Sequence, residues 1–223
     1  MKWFVDTYAS RIGKPEVKVL DVGSLDINGS YRALFAENGY QYTGLDMEAG
    51  PNVDIVLENP YDWDAVATDS FDIVVSGQAF EHVEFFWITL AEMARVMKKD
   101  GLLCIIAPSR WFEHRVPVDC YRFFADGMLA LARYVTLEPL HAYSGCASDS
   151  TPKHTGSIGD SVLIARKPYD GLPRYPDLKG YRCIPGNQKA LGGGAGPDAQ
   201  RESGGGVRRI VKKIVRGTTT SVK

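Results

Sequence analysis

Strand-like and helix-like segments alternate along most of this 223-residue chain, and that alternation limits its fold more than any single motif. Lys2–Ile12 has the apolar spacing of a short amphipathic helix and runs into Gly13 and Pro15. Val17–Val22 is a β-branched run that stops at Gly23, a strand entering a turn. Helical spacing returns at Gly29–Asn38, and strands follow at Gln41–Leu45, Val53–Leu57 and Phe71–Ser76. His82–Lys98 carries Phe85, Leu90, Met93, Ala94 and Met97 along one side, with Lys98 and Lys99 where a helix C-terminus favours cations. Gly101–Ala107 is apolar throughout, as strands covered on both faces are. Phe123–Tyr134 reads as helix, then Thr136–Ala142 and Ser161–Arg166 as strands. The pattern predicts an α/β body with a Rossmann-like, doubly wound sheet over residues 1–168.

Beyond Pro168 the composition shifts to proline and then to Gly192–Gly194 and Gly204–Gly206, so residues 169–206 read as a flexible linker. Residues 207–223 form a basic tail. Val207, Ile210, Val211, Ile214 and Val215 recur at helical spacing, with five cations on the other side. That outline predicts a peripheral membrane or protein contact through residues 207–216. Residues 199–223 hold seven Lys/Arg against one acid, a net +6, which leaves the body at −7.

Several classes fall away. A formal net charge of −1 gives the whole chain no electrostatic reason to bind nucleic acid. Cys104, Cys120, Cys146 and Cys183 stand far apart without a Cys-x-x-Cys pair, so neither a disulfide framework nor a zinc ribbon is expected, and no metal site is read from the sequence. No apolar run is long enough to span a bilayer, and the N-terminus lacks a signal-peptide segment, so a cytoplasmic domain is expected.

In an open α/β sheet, ligands bind beyond the carboxyl ends of the strands, where strand order reverses. Special residues cluster there. Asp21, Gly23 and Ser24 end the first strand, Asp46 ends the second 25 residues later, and Ser76-Gly77-Gln78 leads into Glu81-His82 after the fourth. A carboxylate at 46 suits both hydroxyls of a ribose. A helix opening near Gly29 would offer unpaired N–H groups to an anion. Only Gly23 and Gly29 are glycine in the first loop, with Leu25 and Ile27 between them, which disfavours a pyrophosphate ligand.

Four stretches together resemble the class I S-adenosylmethionine-dependent methyltransferases of the methyltransferase type 11 group. They are Val19–Gly23, Thr43–Asp46, Asp69–Ser76 leading into Glu81-His82-Val83, and Arg95–Leu103. The resemblance implies a seven-stranded sheet, mostly parallel, with Ser161–Arg166 antiparallel. It implies S-adenosyl-L-methionine as cofactor. Asp21 would lie near its amino group, Gly23 and Ser24 beside its amino acid part, Asp46 at the ribose and Met47 over the adenine. Asn59 would flank the adenine edge, with Gly77 and Gln78 near the methionyl part.

Methyl transfer to a hydroxyl needs a proton removed, and His82, His114 and Asp119 are the candidate bases. Glu81 reads instead as a first-turn partner of the helix dipole, with His82 beginning that helix. Ser109–Phe124 follows the fifth strand and mixes aromatics with arginines, so Arg110, Arg115, Tyr121 and Arg122 are candidate acceptor-binding residues. The loop from Ser144 to Asp160, with His154, is a candidate lid. The expected function is methylation, at oxygen, of a small polar metabolite or glycan precursor. The competing readings are a non-catalytic interaction protein of the same fold, recruited by its tail, and a nucleotide-dependent sugar-modifying enzyme.

Overall fold

β-branched and apolar runs become seven strands: β1 (Lys18–Val22), β2 (Gln41–Asp46), β3 (Ile55–Val56), β4 (Phe71–Gly77), β5 (Met97–Arg110), β6 (Glu138–Cys146) and β7 (Gly159–Arg166). Among the described residues, four α-helices accompany them: α1 (Lys2–Thr7), α2 (Arg32–Glu37), α3 (Phe86–Val96) and α4 (Ala125–Tyr134). This computed structural model describes residues 1–115, 117–146 and 159–179, all within one unit, Met1–Gly186. His154, most of the candidate lid and the tail at 207–223 lie outside the described residues.

The sheet runs β3-β2-β1-β4-β5-β7-β6. β1 pairs in parallel with β2 and β4, and β4 with β5, while β7 is antiparallel to both β5 and β6. Strand order thus reverses between β1 and β4, and the ends of β1, β2, β4 and β5 open on one edge. The predicted doubly wound, seven-stranded sheet with its last strand reversed is what the chain forms.

Alternate residues of the central strands feed two cores. Leu20, Val22, Val74, Leu103 and Ile105 pack with Leu90 and Met93 of α3 and Met128 of α4. Val19, Ile73, Val75 and Cys104 pack on the other face with Phe4 and Val5 of α1 and Phe35 of α2. With both faces covered, β4 is buried from Phe71 to Ser76, which is why its sequence shows no polar alternation and only Asp72 and Ser76 are polar there. Asp72 is tied down by Lys14 Nζ at 2.6 Å and Lys98 Nζ at 2.9 Å.

Two expectations need correction. The helix expected from His82 to Lys98 spans only Phe86–Val96. His82 sits in a 3-10 turn, Phe80–His82, and Val83 is extended (ψ 112°), so His82 does not begin the helix. At the other end Met97 is already strand, paired with Phe71, and that pairing outweighs the helical spacing. The body also continues past Pro168. Tyr169 is buried in the core and donates its hydroxyl hydrogen to Val135 O at 2.5 Å. The fully buried ammonium of Lys167 reaches Asp69 Oδ1, Met97 O and Gly171 O at 2.7–2.8 Å.

Candidate functional site

The β1 loop and the β2 end meet directly. Gly23 N–H and Ser24 N–H both donate to Leu45 O, at 2.9 and 3.2 Å. Leu25 N–H donates to Asp46 Oδ2 at 2.9 Å, and Met47 and Glu48 N–H donate to Asp46 Oδ1 at 2.7 and 3.2 Å. The Asp46 carboxylate therefore anchors the loop while remaining partly exposed at the strand end. Gly23 has φ 76°, and a Cβ there would stand 2.4 Å from Ala79 Cβ. Only glycine lets the β1 and β4 loops approach so closely. Gly77 has the same character, since a Cβ would meet the Tyr31 hydroxyl at 2.3 Å.

Asp21 lies under this loop, 3% exposed. Burial pushes its carboxyl up to about 7, against the lowering effect of a hydrogen bond from Tyr42; the charge of Asp46 raises it and Arg32 lowers it. The Tyr42 hydroxyl also accepts from Asn52 Nδ2 at 2.8 Å, and Asn52 Nδ2 donates to Ser24 O at 2.7 Å. Arg32 stacks over the Tyr42 ring (4.5 Å), donates to Asn52 Oδ1 at 2.8 Å and pairs with Asp54 at 2.6 Å. Tyr31, Arg32, Tyr42 and Asn52 form a polar floor that sequence reading missed. No spacing rule links them, and the left-handed backbone of Asn52 (φ 72°) leaves no mark in the sequence. The anion site expected near Gly29 is not built: Gly29 N–H is taken by Asp26 Oδ1 at 2.7 Å, Arg32 N–H by Ser30 Oγ at 3.0 Å, and α2 starts only at Arg32.

Met47 is half exposed beside this loop, and Asn59, exposed, accepts from Tyr61 N–H at 2.9 Å. Gln78 takes φ 59°, and its amide donates to Asp160 Oδ1 at 3.1 Å, linking the β4 loop to the start of β7.

The segment after β5 folds back over the β4 loop, with Cys120 N–H donating to Glu81 O at 2.7 Å. Glu81 is not the exposed dipole partner that its sequence position suggests. It is fully buried, and burial raises its carboxyl. The 3-10 turn aims it inward, beneath His82 and His114, whose rings meet edge to face at 5.0 Å. His82 Nδ1 lies 2.5 Å from Val118 O.

Asp119 is fully engaged in this arrangement. Arg122 holds it through two bonds, at 2.5 and 2.7 Å, and the His114 N–H donates at 2.7 Å, which keeps the carboxyl well below its ordinary range. The same Arg122 donates to the carbonyls of Trp111, Phe112 and Tyr121, so it staples the loop. Arg115 pairs with Glu113 at the surface, and the Tyr121 hydroxyl donates to Glu84 O at 2.9 Å. Arg110 is exposed at the end of β5 and pairs with no carboxylate among the described residues.

A family model described as "Methyltransferase domain" matches residues 20–105, from β1 into β5. Over those residues the chain is similar to methyltransferase domains of the type 11 group. No curated protein matches the chain. Among solved structures, Burkholderia thailandensis 1,6-didemethyltoxoflavin-N1-methyltransferase, with 1,6-didemethyltoxoflavin and S-adenosylhomocysteine bound, aligns at TM-score 0.55 and 20% identity. That alignment covers 74% of this chain and 76% of the other. A SAM-dependent methyltransferase from Archaeoglobus fulgidus aligns at 0.54 and 16%, covering 74% and 92%. The [4+2]-cyclase SpnF aligns at 0.55 and 18%, covering 75% and 81%. At these identities the likenesses show a shared fold, and the domain match with that fold indicates S-adenosylmethionine as the cofactor of this methyltransferase.

The cofactor suits the residues present. Gly23 leaves a cradle that a Cβ would fill, Asp46 presents a carboxylate at the β2 end, and the carboxyl of Asp21 lies buried below.

Proposed function

We propose that this methyltransferase domain methylates an oxygen of a small, polar, hydroxylated acceptor, a metabolite or glycan precursor. When bound, S-adenosylmethionine supplies a methyl group on a sulfonium. Gly23 and Ser24 would flank its amino acid part, Asp21 would face its amino group, and Asp46 would accept from the ribose hydroxyls. Met47 and Asn59 would border the adenine, and Gly77 and Gln78 the methionyl part.

What supports an oxygen acceptor is the pair of imidazoles, His82 and His114, beyond the same sheet edge as the cofactor residues. Val118 O takes the Nδ1 hydrogen of His82, so Nε2 keeps its lone pair for the acceptor's proton. Arg110, exposed nearby in the chain, would hold an anionic group on the acceptor. The charge of residues 207–216 supports a contact with an anionic surface.

Incubating the full chain with S-adenosylmethionine and a panel of hydroxylated metabolites, with S-adenosylhomocysteine and mass-shifted acceptor read by mass spectrometry, tests the reading. One acceptor gaining a methyl at oxygen supports it. Cofactor binding with no product from any oxygen acceptor overturns it, and calorimetric binding of NAD in place of S-adenosylmethionine would favour a sugar-modifying enzyme.

A further inference from the structure

Glu81 poses a problem that the cofactor does not solve. Its side chain is fully buried, and neither carboxylate oxygen has a hydrogen-bond partner among the described residues. Buried carboxylates are normally hydrogen-bonded, paired or bound to a metal, because an unpartnered one costs several kcal/mol (roughly) in desolvation. The two imidazoles do not solve it either. Glu81 Oε1 lies 3.7 Å from His82 Nε2 and 4.0 Å from His114 Nε2, too far for hydrogen bonds.

Both rings are turned the same way. His82 Nδ1 is 2.5 Å from Val118 O, and His114 Nδ1 is 3.2 Å from Phe112 O and 3.5 Å from Asp119 Oδ2. With Nδ1–H donated to these oxygens, each Nε2 presents a lone pair toward the same Glu81 oxygen. A histidine whose distal nitrogen is held by a carbonyl or carboxylate is the form that ligates metals. Arg122, clamped on Asp119 at 2.5 and 2.7 Å, fixes the oxygen that orients His114.

We propose that Glu81, His82 and His114 bind one divalent transition-metal ion of the Zn2+ type beside the acceptor side of the methyltransferase domain. One ligand atom from each residue lies within 4.8 Å of the others. The ligands of a tetrahedral Zn2+ stand about 3.3 Å apart, so the shorter two of these separations need close by less than ~1 Å. Two imidazoles and a carboxylate suit Zn2+, Co2+ or Fe2+ better than Mg2+ or Ca2+, which prefer oxygen-only shells. Three protein ligands leave a position open for an oxygen of the acceptor, and a metal held on both Nε2 atoms would acidify that oxygen in place of the free imidazole base that acts in its absence. That last role rests on the proposed function, whereas metal binding itself does not. The sequence gives no hint of it, because the ligands come from two segments brought together only when the Cys120 N–H bonds to Glu81 O.

The test uses the full chain, stripped with a chelator and titrated with Co2+ by calorimetry and visible absorption, without cofactor or acceptor. One Co2+ per chain is expected, with d–d bands of a nitrogen- and oxygen-ligated site. His82→Ala and His114→Ala should each weaken binding by about tenfold or more, and His141→Ala, on β6, should leave it unchanged. Glu81→Gln separates a metal ligand from a structural carboxylate. Freed of a buried charge, the stripped Gln variant should melt above the stripped wild type, and it should lose the upward shift that Co2+ gives the wild type. Equal Co2+ affinity for wild type and the His82→Ala/His114→Ala double variant would overturn the proposal, as would a stripped Glu81→Gln variant that melts lower. Because neither readout requires methyl transfer, a chain that binds Co2+ but methylates no oxygen acceptor would fail only the functional reading.

Discussion

Tyr42 donates its hydroxyl hydrogen to the buried carboxyl of Asp21 at 2.5 Å, a side-chain hydrogen bond that offsets the burial of that acid. The folded carboxyl titrates at about 7 against an ordinary 3.8, so the folded chain keeps a proton that the unfolded chain releases. Asp21's contribution to stability is intact below pH 3.8, is lost as pH rises toward about 7, and stays lost above it. Asp21→Asn, which keeps an acceptor for Tyr42, is expected to exceed wild type in stability by about 1–3 kcal/mol at pH 8 and to match it near pH 4. Urea melts at the two pH values measure this, and a gain equal at both would contradict it.

The same carboxyl gives cofactor binding a pH dependence. If Asp21 faces the cationic amino group of S-adenosylmethionine, only its ionised form attracts that group. Affinity for S-adenosylmethionine is therefore expected to tighten as pH rises from 6 to 8 through the Asp21 value of about 7. Asp21→Asn should bind more weakly and with a flatter profile. Calorimetry across that range is the check, and parallel profiles for the two proteins would remove Asp21 from the cofactor site.

Asp46 accepts from three backbone N–H groups, including Leu25 across the loop. Asp46→Ala removes these acceptors and the proposed ribose partner together. S-adenosylmethionine binding is expected to weaken by about 1–3 kcal/mol, since hydrogen bonds to a charged group are worth that much. An unchanged dissociation constant would refute the ribose role.

How much of this was legible in the sequence depended on whether the determining interaction was local. The strands at Val17–Val22 and Phe71–Ser76 were readable because β-branched, two-face burial writes itself into a short window. The meeting of Gly23 with the Asp46 end was readable too, since the strand-end rule needs only strand order and two positions. Glu81 was misread because its role depends on Cys120 and His114 folding back over it, a tertiary event that no local window records. Arg122 and Asp119 were seen as free chemistry for the same reason. In a sequence an arginine and an acid three apart look available, and only the fold shows that each satisfies the other.

Gly23 carries two separable constraints, a positive φ of 76° and the 2.4 Å approach to Ala79 Cβ. Gly23→Ala is expected to cost about 2–3 kcal/mol of stability through backbone strain and overpacking together. Adding Ala79→Gly removes the contact but not the strain, so the double variant should recover part of the loss and remain about 1 kcal/mol below wild type. Thermal melts of the single and double variants measure both parts, and full recovery would mean that the left-handed backbone costs nothing.

Arg122 is the staple of the segment that carries His114. Its guanidinium holds Asp119 through two oxygens and takes three backbone carbonyls, so Arg122→Ala takes a donor from five acceptors at once. A loss of about 1–3 kcal/mol is expected, near the value of one charge-assisted bond, because a loosened loop lets water reach the rest. The pH dependence has a definite sign. Asp119 is held below its ordinary 3.8 in the fold, so its contribution is present above that value and is lost as pH falls below it. Without Arg122 the Asp119 carboxyl returns upward, and the variant's stability should fall less steeply on acidification than that of wild type. Arg122→Lys keeps a charge but not the two-pronged grip, so it should recover only part of the stability. If the staple lies on the acceptor side, as proposed, the affinity for S-adenosylmethionine should stay within about twofold of wild type while acceptor KM rises. Urea melts at pH 4 and pH 7, together with cofactor calorimetry, decide the matter: a large loss of S-adenosylmethionine binding would place this segment against the cofactor instead.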